Sequence, residues 1–376
     1  MIIIYIVISL FLTALYLAVI TYMIFGWLRL KSPVYKTVSF KTKVTILIAA
    51  RDEEHNIAAT IEDLLAQDYP AHLTEIIIVD DHSTDRTAEI INSYAASGVK
   101  LLQLTDPTIL NSYKKKAISE AIAISTGELM VATDADCQMG PRWLSTIVAY
   151  YESHDVVMIS APVTYFKELS FFERLQTLEF SFLIGIGASF IGNGKASTCN
   201  GANFAYRKEV FNEVGGFKGI DDLASGDDEL LLQKVATIYP DRIAFLKDRN
   251  AIVYTYAKPN LKSFVQQRRR WASKSTSYKD KKVVILAVGI WLFNITLLLN
   301  FIAGFFNVYF WQLLSVEIFC KILFEAAFLS MVLAFLKRLK LLPMLLILSP
   351  VHMFYFIFVG LIGNTSKYAW KGRIVR

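Results

Sequence analysis

Apolar positions along this chain fall into runs of two kinds. At the two ends they are long and nearly unbroken: Ile2 to Leu28 carries no charge, and the stretch from about residue 283 onward has the same character. Between them the runs are short and punctuated. Val44 to Ala50 and Ile76 to Val79 are rich in β-branched residues, as strands are, while residues 53–66 carry helical spacing. The same reading predicts a helix over 85–95, a strand over 100–104, a helix over 115–124 and a strand over 129–133. Strands alternating with helices predict an α/β domain with a mostly parallel sheet covered by helices.

A helix needs roughly 20 residues to cross hydrocarbon, and Ile2 to Leu28 exceeds that. Val283 to Phe306 reads as a second span, and a third lies within Trp311 to Leu336. The expected organisation is a membrane helix at 1–28, a globular domain at 43–275 and a membrane region at 283–363 with two or three spans.

Charge orients these pieces. Arg29, Lys31, Lys36, Lys41 and Lys43 follow the first run, and Arg268, Arg269, Arg270, Lys274, Lys279, Lys281 and Lys282 precede the second. Basic flanks stay in the cytoplasm, so the middle domain is expected there and the N-terminus outside. No basic residue precedes the first run, which argues against a cleaved signal peptide. Lys337, Arg338 and Lys340 mark a return to the cytoplasm. Leu341 to Ile362 holds Pro343 and Pro350. If it crossed, the basic tail Lys367, Lys371, Arg373 and Arg376 would lie outside, so a re-entrant segment competes with a true span. Glu317, Lys321 and Glu325 share one helix face, where they could pair, line a polar pathway, lie near an interface or bury against protein.

Composition narrows the class. With 54% hydrophobic residues in 376, the chain is too apolar for an ordinary soluble enzyme. The net charge of +6 sits mainly beside the apolar segments, which disfavours nucleic acid as a partner. The three cysteines, Cys137, Cys199 and Cys320, are too widely spaced for a disulfide framework or a CxxC zinc site and are expected to be reduced.

In open parallel sheets, ligands bind beyond the carboxyl ends of the strands. That filter selects Ala50 to Glu54, Asp80 to Asp85 and Asp134 to Asp136, three acidic clusters converging on one rim. The loop after the first strand reads Ala-Ala-Arg-Asp-Glu-Glu with no GxGxxG, against a dinucleotide oxidoreductase. Asp134 and Asp136, two apart at a strand end, share one face and suit a divalent cation on a diphosphate; such pairs also occur as plain turn caps. Asp227-Asp228-Glu229 opens the apolar helical stretch Leu230 to Val235, as a helix cap or as a general base. Tyr165 to Asn193 mixes aromatic and charged residues. Its apolar tail Phe180 to Ile191 is too short to span, so an interfacial helix or a buried core helix is expected.

Taken together, VTILIAARDEE, IIIVDDHSTDRT, KKKAISEAIAISTGE before TDAD, NGANFAYRKEVFNEVGGF, SGDDELL and QQRRRW resemble, in order from Lys43 to Trp271, the family 2 glycosyltransferases. That group includes cellulose, chitin and hyaluronan synthases and ceramide glucosyltransferases. The resemblance implies a GT-A type nucleotide-sugar fold flanked by transmembrane helices. It implies that Glu53, with Asp80 or Asp81, contacts uracil and ribose, that Lys114 or a neighbouring lysine approaches the diphosphate, and that Asp134 holds the ribose side. Asp136 would hold the metal, Mn2+ or Mg2+. The family's acidic pair falls on Asp227-Asp228, where Asp replaces the usual Glu; Asp228 is the expected base and Asp227 the alternative. Gln267, Arg270 and Trp271 fit the QxxRW motif, with Arg270 on the diphosphate and Trp271 against a sugar, and Gly201 and Asn203 would line the acceptor site.

The expected function is therefore inverting transfer from a nucleotide-diphosphate sugar, a UDP-sugar first, to a lipid or lipid-linked acceptor at the cytoplasmic face of a bacterial inner (plasma) membrane. Processive polysaccharide synthesis is the runner-up, with few spans for a polymer channel. A non-catalytic sensor or assembly subunit is disfavoured because the motif carboxylates are present, and a transporter because the spans are too few.

Overall fold

A computed structural model describes residues 2–35, 39–106, 111–223, 225–273, 281–362, 368–370 and 373–375. The basic flank residues Lys36, Lys274, Lys279, Lys367, Lys371 and Arg376 lie outside the described residues, as do the expected domain boundaries at 275 and 363.

From the amino end, α1 (Ile2–Arg29) leads into β1 (Val44–Ala50), α2 (Ile57–Leu65), β2 (Thr74–Asp80), α3 (Thr87–Ser93), β3 (Val99–Gln103), α4 (Tyr113–Ile124) and β4 (Leu129–Ala132). Next come β5 (Gln138–Met139), α5 (Trp143–Ser153), β6 (Met158–Ser160), β7 (Val163–Tyr165), α6 (Phe171–Gly192), β8 (Phe204–Arg207), α7 (Lys208–Glu213) and α8 (Glu229–Ile238). The chain continues through β9 (Ile243–Phe245), β10 (Val253–Thr255), α9 (Leu261–Ser273), α10 (Lys281–Ala303), α11 (Val308–Phe335), α12 (Leu345–Ile362) and a hairpin of β11 (Tyr368–Trp370) and β12 (Arg373–Val375).

The chain divides into two compact units. One comprises residues 28–168, 186–257 and 367–376; the other comprises 1–27, 169–185 and 258–366. The first is built on a seven-stranded sheet ordered β3-β2-β1-β4-β8-β6-β9. Strands β3, β2, β1 and β4 are mutually parallel, and β8 runs antiparallel to both β4 and β6. In β1 and β2 nearly every residue is buried, and helix α4 packs on both strands, so neither face alternates with solvent. A small second sheet, β5-β10-β7, completes this unit.

Several boundaries differ from the sequence reading for local reasons. The helix expected from residue 53 starts at Ile57. Asp52 adopts φ 49°, a left-handed turn, and the Glu53 carbonyl accepts from both Asn56 and Ile57 N–H, so 53–56 is a turn feeding the helix. The stretch 180–191 is not a short tail but the end of one 22-residue helix, α6, which is long and apolar enough to cross a membrane. Residues 171–185 of α6 belong to the helical unit and 186–192 to the sheet-bearing unit.

The other unit is helical. Besides α6, four helices among the described residues are long and apolar enough to span a bilayer: Ile2–Arg29, Val284–Ala303, Val308–Phe335 and Leu339–Phe358. Their outward residues are apolar, such as Ile3, Phe11, Ile285 and Phe319, while polar groups turn inward. Glu317 accepts from Ser9 Oγ at 2.6 Å, Thr13 Oγ1 at 3.2 Å and Asn300 Nδ2 at 2.8 Å, tying α1 and α10 to α11. Lys321 Nζ lies 2.8 Å from both Glu325 Oε1 and Ser349 Oγ, and Tyr16 OH also donates to Glu325. Of the uses open to these charges, pairing and burial against protein are present. Hydrocarbon offers no partner for a polar group, so such groups hold helices together from inside.

Candidate functional site

The parallel register brings the carboxyl ends of β1, β2 and β4 to one rim, with Ala50 opposite Asp80 and Thr133 N–H donating to the Leu47 carbonyl. The loops after β1 and β2 are laced together. Asp52 Oδ1 accepts from Thr84 N at 2.8 Å, Ser83 Oγ accepts from Asp52 N at 3.0 Å, and Arg51 Nη1 donates to the carbonyls of Asp81 (2.7 Å) and His82 (2.8 Å). Arg51 was not among the expected site residues; its place in the AARDEE segment was the available signal.

Asp80 and Asp81 are both buried at this rim. Asp80 Oδ2 accepts a long bond from Ser83 N at 3.4 Å, and its buried Oδ1 has no hydrogen-bond partner among the described residues. A buried acceptor left unsatisfied costs about 1–3 kcal/mol. The Glu53 carboxylate accepts from Asn56 Nδ2 at 3.0 Å, at the entry to α2.

Lys114, Lys115 and Lys116 open α4, and the helical turn of about 100° per residue sends each to a different task. Lys114 Nζ sits 2.7 Å from Asp134 Oδ1 and 3.0 Å from Asp227 Oδ2, joining two carboxylates far apart in sequence. Burial alone would lower its pKa, but the two carboxylates outweigh that and raise it. Asp227 shows the converse: burial would raise its pKa, and Lys114 holds it below the ordinary value. Lys115 is buried and donates to the carbonyls of Ile220 (2.5 Å), Leu223 (2.7 Å) and Ser225 (2.9 Å), holding the segment that leads into Asp227; burial lowers its pKa. Lys116 pairs with Glu120 at the surface.

Asp228 caps α8. Its Oδ1 accepts from Glu229 N at 2.6 Å and its Oδ2 from Gly201 N at 2.8 Å. A Cβ at Gly201 would come within 3.3 Å of Asp228 Oδ2 and 3.4 Å of Asp227 Oδ2, so the glycine lets the backbone approach both carboxylates. Asn203, two residues on, departs from the expected acceptor role. It is fully buried; its amide donates to the carbonyls of Pro162 (2.8 Å) and Ala251 (2.7 Å) and accepts from Trp143 Nε1 at 3.0 Å. It ties β8 to its neighbours.

Asp134, Asp136 and Cys137 place ligand atoms within 4.8 Å of one another. Burial first, then the two carboxylates, push the Cys137 thiol well up, so it stays protonated. The donor set left is two carboxylates, which fits a hard oxygen-seeking divalent cation.

Gln267, Arg270 and Trp271 lie on α9 in the helical unit. There Arg268 carries the buried interaction: it forks onto Glu179 at 3.1 and 2.6 Å, stacks 4.2 Å from the Trp271 ring and donates to Gln267 Oε1 at 3.0 Å. The Trp271 face expected to receive a sugar is against a guanidinium. Arg268 was read from the sequence only as a basic flank.

Residues 45–215 match Glycosyl transferase family 2. The chain carries a family 2 glycosyltransferase domain. Among its relatives, the beta-monoglucosyldiacylglycerol synthase of Nostoc sp. (strain PCC 7120) is 28% identical over 46% of this chain and 37% of that protein. The poly-beta-1,6-N-acetyl-D-glucosamine synthase of Staphylococcus epidermidis is 26% identical over 46% of this chain and 41% of that protein. In both cases the chain spans under half the length of the relative. The mannosyltransferase PcManGT from Pyrobaculum calidifontis, solved with GDP-Man and Mn2+, superposes with a TM-score of 0.56 at 18% identity, covering 93% of this chain and 99% of that one. This is a likeness of fold, and it places the family 2 domain in the GT-A class.

Proposed function

We propose that this protein is an inverting glycosyltransferase that moves a sugar from a nucleotide-diphosphate donor, a UDP-sugar, to a lipid or lipid-linked acceptor at the cytoplasmic face of a membrane. The observation that carries the reading is the Lys114 bridge. One ammonium joins Asp134, a member of the candidate cation pair, to Asp227, beside the backbone-anchored Asp228, so donor-side and base-side carboxylates form one cluster.

In this reading the donor's nucleoside lies over β1 and β2, where Asp80 Oδ1 awaits a hydrogen-bond donor, and Glu53 and Asp81 flank it. Lys114 meets the diphosphate. Asp134 and Asp136 hold a divalent cation, which supplies charge neutralisation for the departing nucleoside diphosphate. Asp228, oriented by the Gly201 and Glu229 N–H groups, takes the proton of the acceptor hydroxyl as that oxygen bonds to C1 and the C1–O bond to the diphosphate breaks on the opposite face. Asp228 fits the base better than Asp227, whose carboxylate is held by Lys114. Apolar helices and a relative named for glucosyldiacylglycerol synthesis favour a lipid acceptor. The relative named for poly-N-acetylglucosamine synthesis supports polysaccharide synthesis as the second reading.

The test is transfer by the purified protein in nanodiscs made with bacterial lipid extract, using labelled UDP- and GDP-sugars with Mn2+ or Mg2+. Label from one donor appearing in extractable lipid, and only with metal, is the expected result. Growth of label into a water-soluble polymer would favour polysaccharide synthesis. Donor binding with no transfer in any background would replace the transferase by a sensor or assembly subunit.

A further inference from the structure

The basic tail of the chain does not only flank a membrane segment. Arg373, on β12 beyond the last apolar helix, returns to the rim of the seven-stranded sheet. Its Nη1 lies 2.7 Å from Asp81 Oδ2, and its guanidinium carbon stands 3.6 Å from the centre of the Tyr113 ring. Its side chain is only 16% exposed. Tyr113 immediately precedes Lys114, and Asp81 immediately follows Asp80 with its unpartnered oxygen, so Arg373 enters the same rim from a part of the sequence about 290 residues away. On its other oxygen, Asp81 Oδ1 lies 3.0 Å from His82 Nδ1, and His82 Nε2 lies 3.0 Å from the Asp106 carbonyl.

We propose that Arg373 is a donor-site residue that reads the nucleotide base. The inference rests on the donor-binding reading of this rim and adds to it a residue and a specificity. An Asp–Arg pair presents an acceptor beside an N–H donor. The complementary base edge is a ring N–H beside a carbonyl, which uracil and guanine possess and cytosine lacks. Stacking on Tyr113 fixes the plane of the guanidinium, so the pair is set before the base arrives. Asp80 Oδ1, one residue away, accepts a further ligand donor.

The test is calorimetric binding of UDP, CDP and inorganic pyrophosphate to the full-length protein in nanodiscs with Mn2+, for wild type, Arg373→Ala, Arg373→Lys and Lys114→Ala. The expected pattern is a loss of at least tenfold in UDP affinity for Arg373→Ala, a collapse of the UDP-over-CDP preference, partial recovery in Arg373→Lys and unchanged pyrophosphate binding. Lys114→Ala should weaken UDP and pyrophosphate together. If Lys114→Ala behaves so while Arg373→Ala binds UDP as wild type does, the donor site stands and the role of Arg373 falls. Tighter UDP binding by Arg373→Ala would make the side chain a plug and overturn the proposal. Equal losses for UDP and pyrophosphate would make it a phosphate contact and overturn base reading. A wild type that binds neither UDP nor pyrophosphate would sink both.

Discussion

The two ends of the same parallel strands treat buried carboxylates in opposite ways. At the amino end of β2, Glu75 accepts from Thr45 Oγ1 at 2.6 Å, Lys100 Nζ at 2.7 Å and Thr126 N at 2.8 Å. Burial would raise its pKa, but those three donors outweigh it and bring it down to about 2. At the carboxyl end, Asp80 keeps a buried oxygen without a partner among the described residues, and the half-exposed Asp134 shares one ammonium with Asp227, which precedes α8. A saturated carboxylate stabilises a fold; an unsaturated one stores capacity for a ligand. Residue type alone does not separate the two. The end of the strand does, because the loops that could bring a ligand sit at the carboxyl ends of a parallel sheet.

That contrast can be broken at several points. The largest effect is expected at Lys114. Lys114→Ala leaves Asp134 and Asp227 without their shared cation and should lower turnover by roughly 10²–10³-fold, the usual cost of one transition-state contact. Steady-state kinetics showing less than a fewfold change would remove Lys114 from the site. Gly201→Ala comes next. Its Cβ would press on Asp228 and Asp227 from 3.3 to 3.4 Å, displacing them by a few tenths of an ångström, and a drop of about tenfold in kcat with unchanged melting temperature is expected.

Glu75→Gln should do the reverse and spare catalysis. It should lower unfolding stability by roughly 1–3 kcal/mol in denaturant titration while kcat and KM for the donor stay at wild-type values. The pH dependence follows the depressed pKa. The contribution of Glu75 is fully present above the ordinary value of 4.5 and is lost as pH falls through about 2. A Glu75→Gln protein should therefore lose less stability than wild type across that interval.

How much of this was legible in the sequence also divides by region. The β1–β4 alternation and the three acidic clusters could be read because parallel strands are continuous apolar runs that end abruptly in polar loops. Among the lysines, the sequence offered Lys114 or a neighbour; only the helical phase of α4 separates the residue on two carboxylates from the one on loop carbonyls. Asn203 was named from the family resemblance, yet it is buried just ahead of β8, where its amide bonds Pro162, Ala251 and Trp143. Arg268 and Arg373 were hidden by composition. A basic residue near an apolar run reads as a membrane flank, and nothing local announces a partner such as Glu179 or Asp81 far away in sequence.

The most direct test of the account is the rate of nucleoside diphosphate release by Asp228→Asn beside wild type, with melting temperature and donor affinity measured on the same preparations. The account predicts a loss of about 10²–10⁴-fold in release, with folding and donor binding retained, because the amide oxygen keeps the cap on Glu229 N–H, giving up only the bond from Gly201 N–H, but cannot take the acceptor's proton. Release at the wild-type rate would contradict it and return Asp228 to the role of a helix cap.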